Sequence, residues 1–186
     1  MEAINAGANR LKKVVLIGPE STGKSTLAGL LANHYHTNYV SEYAREYIDK
    51  LGRPYEEKDL LHIAEGQLKH EDEAAKNANN ILICDTNLLV LKVWGEHKFG
   101  ACYQQILDAI HKRKYDLYLL TNIDVPWEDD PQREHPDMRN FFYDIYKQEV
   151  ENSGVPWVEV TGEELNQRKR MAIEAIDEVL AKAKPI

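Results

Sequence analysis

A chain of 186 residues with a formal charge of −8 and two cysteines is long enough to bury a substantial core, and its acidity argues against a nucleic-acid partner, since phosphate backbones are held by basic surfaces. Two cysteines make no disulfide framework, and Cys84, inside an apolar run, reads as a buried free thiol of a reducing compartment. No apolar run approaches membrane-spanning length and Met1 to Arg10 lacks an apolar signal core, so a cytoplasmic protein without a membrane partner is expected.

Residues 1–12 carry no periodic pattern and are expected to be disordered, with 13–186 forming one domain. The first element is the apolar run Val14, Val15, Leu16, Ile17, a buried strand. It leads into Gly18-Pro19-Glu20-Ser21-Thr22-Gly23-Lys24-Ser25, a complete G-x-x-x-x-G-K-[ST] loop, and a helix-forming stretch from Lys24 to His34 follows. In such a loop successive backbone amides close around a phosphate, and the helix points its positive end at the same anion. Gly18 and Gly23 permit backbone angles that a Cβ would block. Lys24 would reach the β/γ-phosphates and the Ser25 hydroxyl would ligate Mg²⁺. Glu20, Ser21, Thr22 and Thr26 complete the candidate ATP-binding set. His34 and His36 could pair on a metal or be solvated at the helix end.

Asn38-Tyr39-Val40 is a short strand entering Ser41-Glu42-Tyr43-Ala44-Arg45-Glu46-Tyr47, helical until Gly52-Arg53-Pro54. Glu42 and Arg45, at i and i+3, share a face. They either line an acceptor pocket or form a surface ion pair. An amphipathic helix spans Glu56 to Lys76. Ile81-Leu82-Ile83-Cys84 is a buried strand ending in Asp85, placed as a Walker B carboxylate: it could hold Mg²⁺, accept a proton from a substrate hydroxyl, or cap the next helix. Helical patterns cover Leu88 to Trp94 and Tyr103 to His111, and Leu117 to Leu120 is the fourth strand.

The next segment, Val125 to Met138, is polar and contains Trp127-Glu128-Asp129-Asp130-Pro131-Gln132-Arg133. Arg133 and Arg139 are the candidates for a guanidinium brought by a lid onto the transferring phosphoryl group. The alternative is pairing with Asp129, Asp130 and Glu134. A helix from Arg139 to Asn152, a strand at Trp157 to Val160, and a helix to about Lys182 with a Thr161/Glu164 capping box close the chain. Gly162 and Arg168 are candidate adenine-end contacts. Alternating strands and helices imply an α/β fold of three layers, with a five-stranded parallel sheet, P-loop kinase-like, and a lid. Ligands gather at the carboxyl ends of such strands. Thr121-Asn122-Ile123-Asp124 hints at guanine recognition, but the lysine of that element is missing. Asp85-Thr86-Asn87-Leu88 likewise lacks the glycine of a GTPase switch.

Gly-Pro-Glu-Ser-Thr-Gly-Lys-Ser, the Glu42-Tyr43-Ala44-Arg45-Glu46 block, Asp85-Thr86-Asn87 and Trp127-Glu128-Asp129-Asp130 with Arg133 together resemble the ribosylnicotinamide kinase domain of the NadR family. The likeness runs from about Lys13 to Leu180. It implies ATP:ribosylnicotinamide 5′-phosphotransfer with ATP and Mg²⁺, forming nicotinamide mononucleotide in NAD salvage. Glu42, Tyr43, Arg45, Asp85, Asn87, Trp94, Phe99 and Trp127 are then expected at the acceptor, a small-molecule nucleoside. Lys24, Asp85, Arg133 and Arg139 are expected to be catalytic, and Ser25 and Asp85 to hold the metal. The His-x-Gly-His nucleotidyltransferase and helix-turn-helix units of NadR proteins have no counterpart in this sequence, so neither adenylyl transfer nor DNA binding is expected. Another nucleoside, a vitamin alcohol, or a regulatory ATPase that transfers phosphate only to water are the alternatives. Tyr43 and Trp94 could equally be core packing.

Overall fold

Strands that are apolar on both sides need cover on both faces of their sheet, and the chain supplies it with helices between every pair of strands. The computed structural model describes residues 10–182. Its elements are β1 (Lys12–Ile17), α1 (Lys24–His34), β2 (Tyr39–Val40), α2 (Tyr43–Leu51), α3 (Asp59–Lys76), β3 (Ile81–Asp85), α4 (Leu88–Phe99), α5 (Gln104–Lys112), β4 (Leu117–Thr121), α6 (Arg139–Asn152), β5 (Trp157–Val160) and α7 (Leu165–Ala181). The five strands form one parallel sheet in the order β2-β3-β1-β4-β5. The order reverses at β1, which places the phosphate loop at the crevice where open α/β sheets bind ligands.

Alternation along β1 sorts its side chains. Val14 and Leu16 pack with Leu27 and Leu31 of α1 and Ala172 and Ile176 of α7. Val15 and Ile17 pack with Val90 and Val93 of α4 and Phe142, Tyr146 and Val150 of α6. A third cluster joins α2, α3, α4 and α5 through Ala44, Leu60, Ile63, Leu91 and Ile106, carrying α2 beside the carboxyl end of the sheet.

Several boundaries differ from expectation, each for a local reason. Of the segment expected to be disordered, residues 1–9 lie outside the described residues. Leu11 packs against the α4/α6 side of the core and Lys12 opens β1, its amide bonded to the Asn80 carbonyl at 2.9 Å. The helix expected to stop at Trp94 runs on to Phe99, because Gly95 fits where a Cβ would stand 3.0 Å from the Ala101 carbonyl. The Thr161/Glu164 capping box does not form. Gly162 turns with φ of 110°, and Glu164 itself is the N-cap, with no side-chain cap bond.

Candidate active site

The phosphate loop is shaped from behind. At Gly18, φ is 145° and a Cβ would lie 2.5 Å from Thr121 Oγ1 and 2.8 Å from its carbonyl oxygen, so β4 leaves room only for glycine. At Gly23 nothing lies within 4 Å, and the requirement is the left-handed φ of 75° alone. Ser21 takes φ of 55° without being glycine. The buried Thr22 hydroxyl bonds the Pro19 carbonyl at 2.9 Å and Thr121 Oγ1 at 2.7 Å. Lys24 Nζ donates to the carbonyls of Gly18 (2.9 Å) and Pro19 (2.6 Å). Burial pulls the Lys24 pKa down, while Glu42, Asp85 and Glu20 oppose that shift.

Two carboxylates face this lysine. Asp85, 2% exposed at the end of β3, keeps Oδ1 without a partner among the described residues. Burial raises its pKa, against the Ser25 hydroxyl and Lys24. Glu42, extended at the start of α2, is pushed up to about 7, first by burial and then by Asp85. Arg45 Nε lies 3.9 Å from Glu42 Oε2, but its stronger partner is Asp130 Oδ2, at 3.0 and 2.9 Å from its two terminal nitrogens. Thr86 follows Asp85 with φ of 70°, a strained value for a β-branched residue beside the site.

The cap of α4 is Asn87, not Asp85. Its Oδ1 accepts from the Leu89 amide at 3.1 Å, while its Nδ2 donates to the Tyr118 hydroxyl at 3.0 Å. With both ends of the amide engaged in a 3% exposed position, Asn87 does not reach the cavity. Asp85 is thereby relieved of the capping role.

The segment between β4 and α6 closes over the loop. The Glu128 amide donates to Ser21 Oγ at 2.8 Å, and Glu20 accepts from the amides of Glu134 (3.1 Å) and His135 (3.2 Å). Arg133 reaches Ser21 Oγ at 3.3 Å and lies over the Trp127 ring, 5.9 Å from its centroid. Neither Arg133 nor Arg139 forms an ion pair with Asp129, Asp130 or Glu134 among the described residues: Asp130 pairs with Arg45 and Glu134 with Lys98. The two arginines differ in place. Arg133 lines the cavity, whereas Arg139 lies behind the loop, its Nη2 shared by the carbonyls of Ser21 (3.1 Å) and Val125 (2.9 Å) and its Nε buried without a partner among the described residues.

A cavity of about 470 Å³ results. Gly18, Glu20 to Thr26, Val125, Pro126, Glu163 and Leu165 line one half. Glu42, Arg45, Ile48, Thr86, Val90, Trp94, Gln132 and Tyr146 line the other, with Arg133 between. Six expected residues lie off it besides Asn87 and Arg139. Tyr43 turns away, its ring filling a notch in α3 where a Gly66 Cβ would be 1.9 Å from Tyr43 Cε1. Phe99 packs edge-on against Tyr55, and Trp127 bonds Asp129 at 2.9 Å on the outside of the lid. Asp85 lies beneath the floor, next to Thr86. Gly162 and Arg168 are behind the loop, with Arg168 paired to Asp124. Tyr146 was missed because a tyrosine in an apolar helix face reads as core, which it also is. Gln132, Glu163 and Leu165 carry no local signal.

Ser25, at the start of α1, and the unpartnered oxygen of Asp85 are hard donors suited to a Mg²⁺ that keeps most of its other contacts with phosphate and water. Among the described residues no cluster of three or more His, Cys, Asp or Glu forms a self-sufficient metal site, and no helix is long and apolar enough to cross a membrane.

Comparison with known proteins agrees with this geometry. The trifunctional NAD biosynthesis/regulator protein NadR of Escherichia coli (strain K12) is 27% identical over 178 residues, 91% of this chain, and the chain spans 43% of that protein's length. A crystal structure of NadR protein in complex with NR superposes with a TM-score of 0.75 at 22% identity, over 91% of this chain and 50% of that one. Thymidylate kinase from Candida albicans superposes at 0.59 with 15% identity, over 94% of both chains. The five-stranded parallel α/β fold is therefore shared with these proteins, and the expected resemblance to NadR stands. The model of the AAA domain family matches residues 13–168, from the first strand through the base of the last helix, and the chain belongs to that family.

Proposed function

We propose that the chain is an ATP-dependent small-molecule kinase that phosphorylates the 5′-hydroxyl of ribosylnicotinamide to give nicotinamide mononucleotide. The observation that carries this reading is the two-sided cavity, with a phosphate loop on one side, a chamber of Glu42, Arg45, Trp94 and Tyr146 on the other, and Lys24 and Arg133 at their meeting. A regulatory ATPase needs no second chamber. Mg²⁺, held by Ser25 and Asp85, would neutralise phosphate charge. Lys24 would leave the loop carbonyls for the phosphates, and Arg133 would stabilise charge on the equatorial oxygens. Glu42, on the cavity wall with its pKa pushed up to about 7, would receive the acceptor's proton, and Asp85, beneath the floor, would act through the metal.

The acceptor reading is supported by chemistry and by likeness. A flat pyridinium cation favours aromatic faces and nearby carboxylates, and the chamber offers Trp94, Tyr146 and Glu42. The NadR relatives and the NadR structure with NR point the same way. A cytoplasmic setting fits the free thiols Cys84 and Cys102. The test is ATP consumption by purified protein with ribosylnicotinamide, uridine, adenosine and thiamine as acceptors. Turnover that rises only with ribosylnicotinamide is expected. A preference for another acceptor would overturn the substrate, and acceptor-independent hydrolysis would overturn the kinase.

A further inference from the structure

Two carbonyls of the phosphate loop, those of Ser21 and Thr22, are held by arginines from elements far along the chain, Arg139 half-buried and Arg168 fully buried. Arg168 of α7, 2% exposed, donates through Nη2 to the Thr22 carbonyl at 2.9 Å. Its other contacts are the carbonyls of Gly162 (3.3 Å) and Asn122 (3.4 Å) and an ion pair with Asp124, whose second oxygen accepts from the Gly162 amide. Arg139 of α6 donates to the preceding carbonyl, Ser21, at 3.1 Å. A trans peptide is planar, so its carbonyl oxygen and amide hydrogen point in opposite directions. Fixing the Ser21 and Thr22 oxygens from behind therefore aims the amides of Thr22 and Gly23 forward. Those amides donate to no backbone acceptor among the bonds outside regular elements, and both residues line the cavity. The flanking left-handed angles of Ser21 and Gly23 would otherwise let either peptide turn over.

We propose that Arg168 and Arg139 are positioning residues that aim the phosphate loop's amides at the bound nucleotide, with Asp124 holding Arg168 in place. This rests on the nucleotide-binding reading of the loop. Their work is done through the loop rather than on the phosphate, which separates them from Arg133.

The test uses the full chain, [¹⁵N]glycine labelling and ADP. Wild type is expected to bind ADP with a downfield shift of the Gly23 amide. Arg168→Met should weaken ADP binding at least tenfold at 15 °C, with the protein still folded by circular dichroism, and should abolish most of that shift while Gly29 and Gly95 resonances stay in place. Arg168→Lys, which keeps the charge but gathers its donors on a single nitrogen, should recover part of both, and Arg139→Met should show the same pattern more weakly. If Arg168→Met does not fold, Asp124→Asn carries the same expectation. ADP affinity within twofold of wild type in the folded variants, or weaker affinity with an unchanged Gly23 shift, would overturn the inference. Failure of wild type to bind ADP would instead overturn the nucleotide reading beneath it.

Discussion

Among the described residues Lys24 is the only lysine lining the cavity, and it feels the charges of Glu42, Asp85 and Glu20 together. On the proposed reading its ammonium would offset the phosphate charge that grows during transfer, so Lys24→Ala should lower turnover by about 10²–10³ with the fold retained, measured as kcat beside circular dichroism. Asn87 caps α4, which leaves Asp85, two residues earlier, free for the proposed chemistry. Asp85→Asn should cost two or more orders of magnitude in kcat. Asn87→Ala should instead lose about 1 kcal/mol of stability through the vacated Leu89 amide, read as a lower Tm. Glu42 adds a pH signature. Its native pKa of about 7 exceeds the ordinary 4.5, so the native state holds the proton more tightly and stability falls as pH rises between those values. In the absence of nucleotide, Glu42→Gln should therefore raise Tm at pH 8, and the gain should fade toward pH 4.

At the scale of elements, the lid is tied down at both ends of its reach. Asp130 and Gln132 bind α2 through Arg45 and Asp49, while Glu128, Glu134 and His135 bind the phosphate loop. Arg133→Ala should depress kcat far more than nucleotide affinity, because a contact formed with the transition state acts mainly on kcat. Equal losses in both would place Arg133 on the ground state. The strands, the phosphate loop and the lid's location were legible because apolar runs, glycine spacing and a long polar segment are local signals. Less legible was which side of an element each residue would take. Tyr43 and Phe99 face away because α3 offers a glycine notch and α5 a packing surface, and Arg139 and Arg168 went to carbonyls that only tertiary folding brings near. The buried Glu71, bound by Lys13, Arg113 and the Tyr115 hydroxyl, belongs to the same class: no spacing in the sequence joins those four residues.

For the whole molecule, the central position of β1 sets an order of events in time. Of the five strands β1 is made first, yet its neighbours in the sheet are β3 and β4, roughly 70 and 100 residues downstream. The loop that follows it waits longer still. Thr121, which forbids a side chain at Gly18 and bonds Thr22, lies 99 residues after Thr22, and Arg168 lies 146 residues after it. On the ribosome, the motif most recognisable in the sequence is thus without its shape until α7 has begun to emerge. Nascent chains arrested with Thr121 exposed but α7 still in the exit tunnel should not be retained on immobilised ADP, whereas chains released past Ala181 should be. If the loop binds nucleotide as proposed, that capacity would arise in one late step of synthesis, and a copy halted before α7 would not compete for ATP.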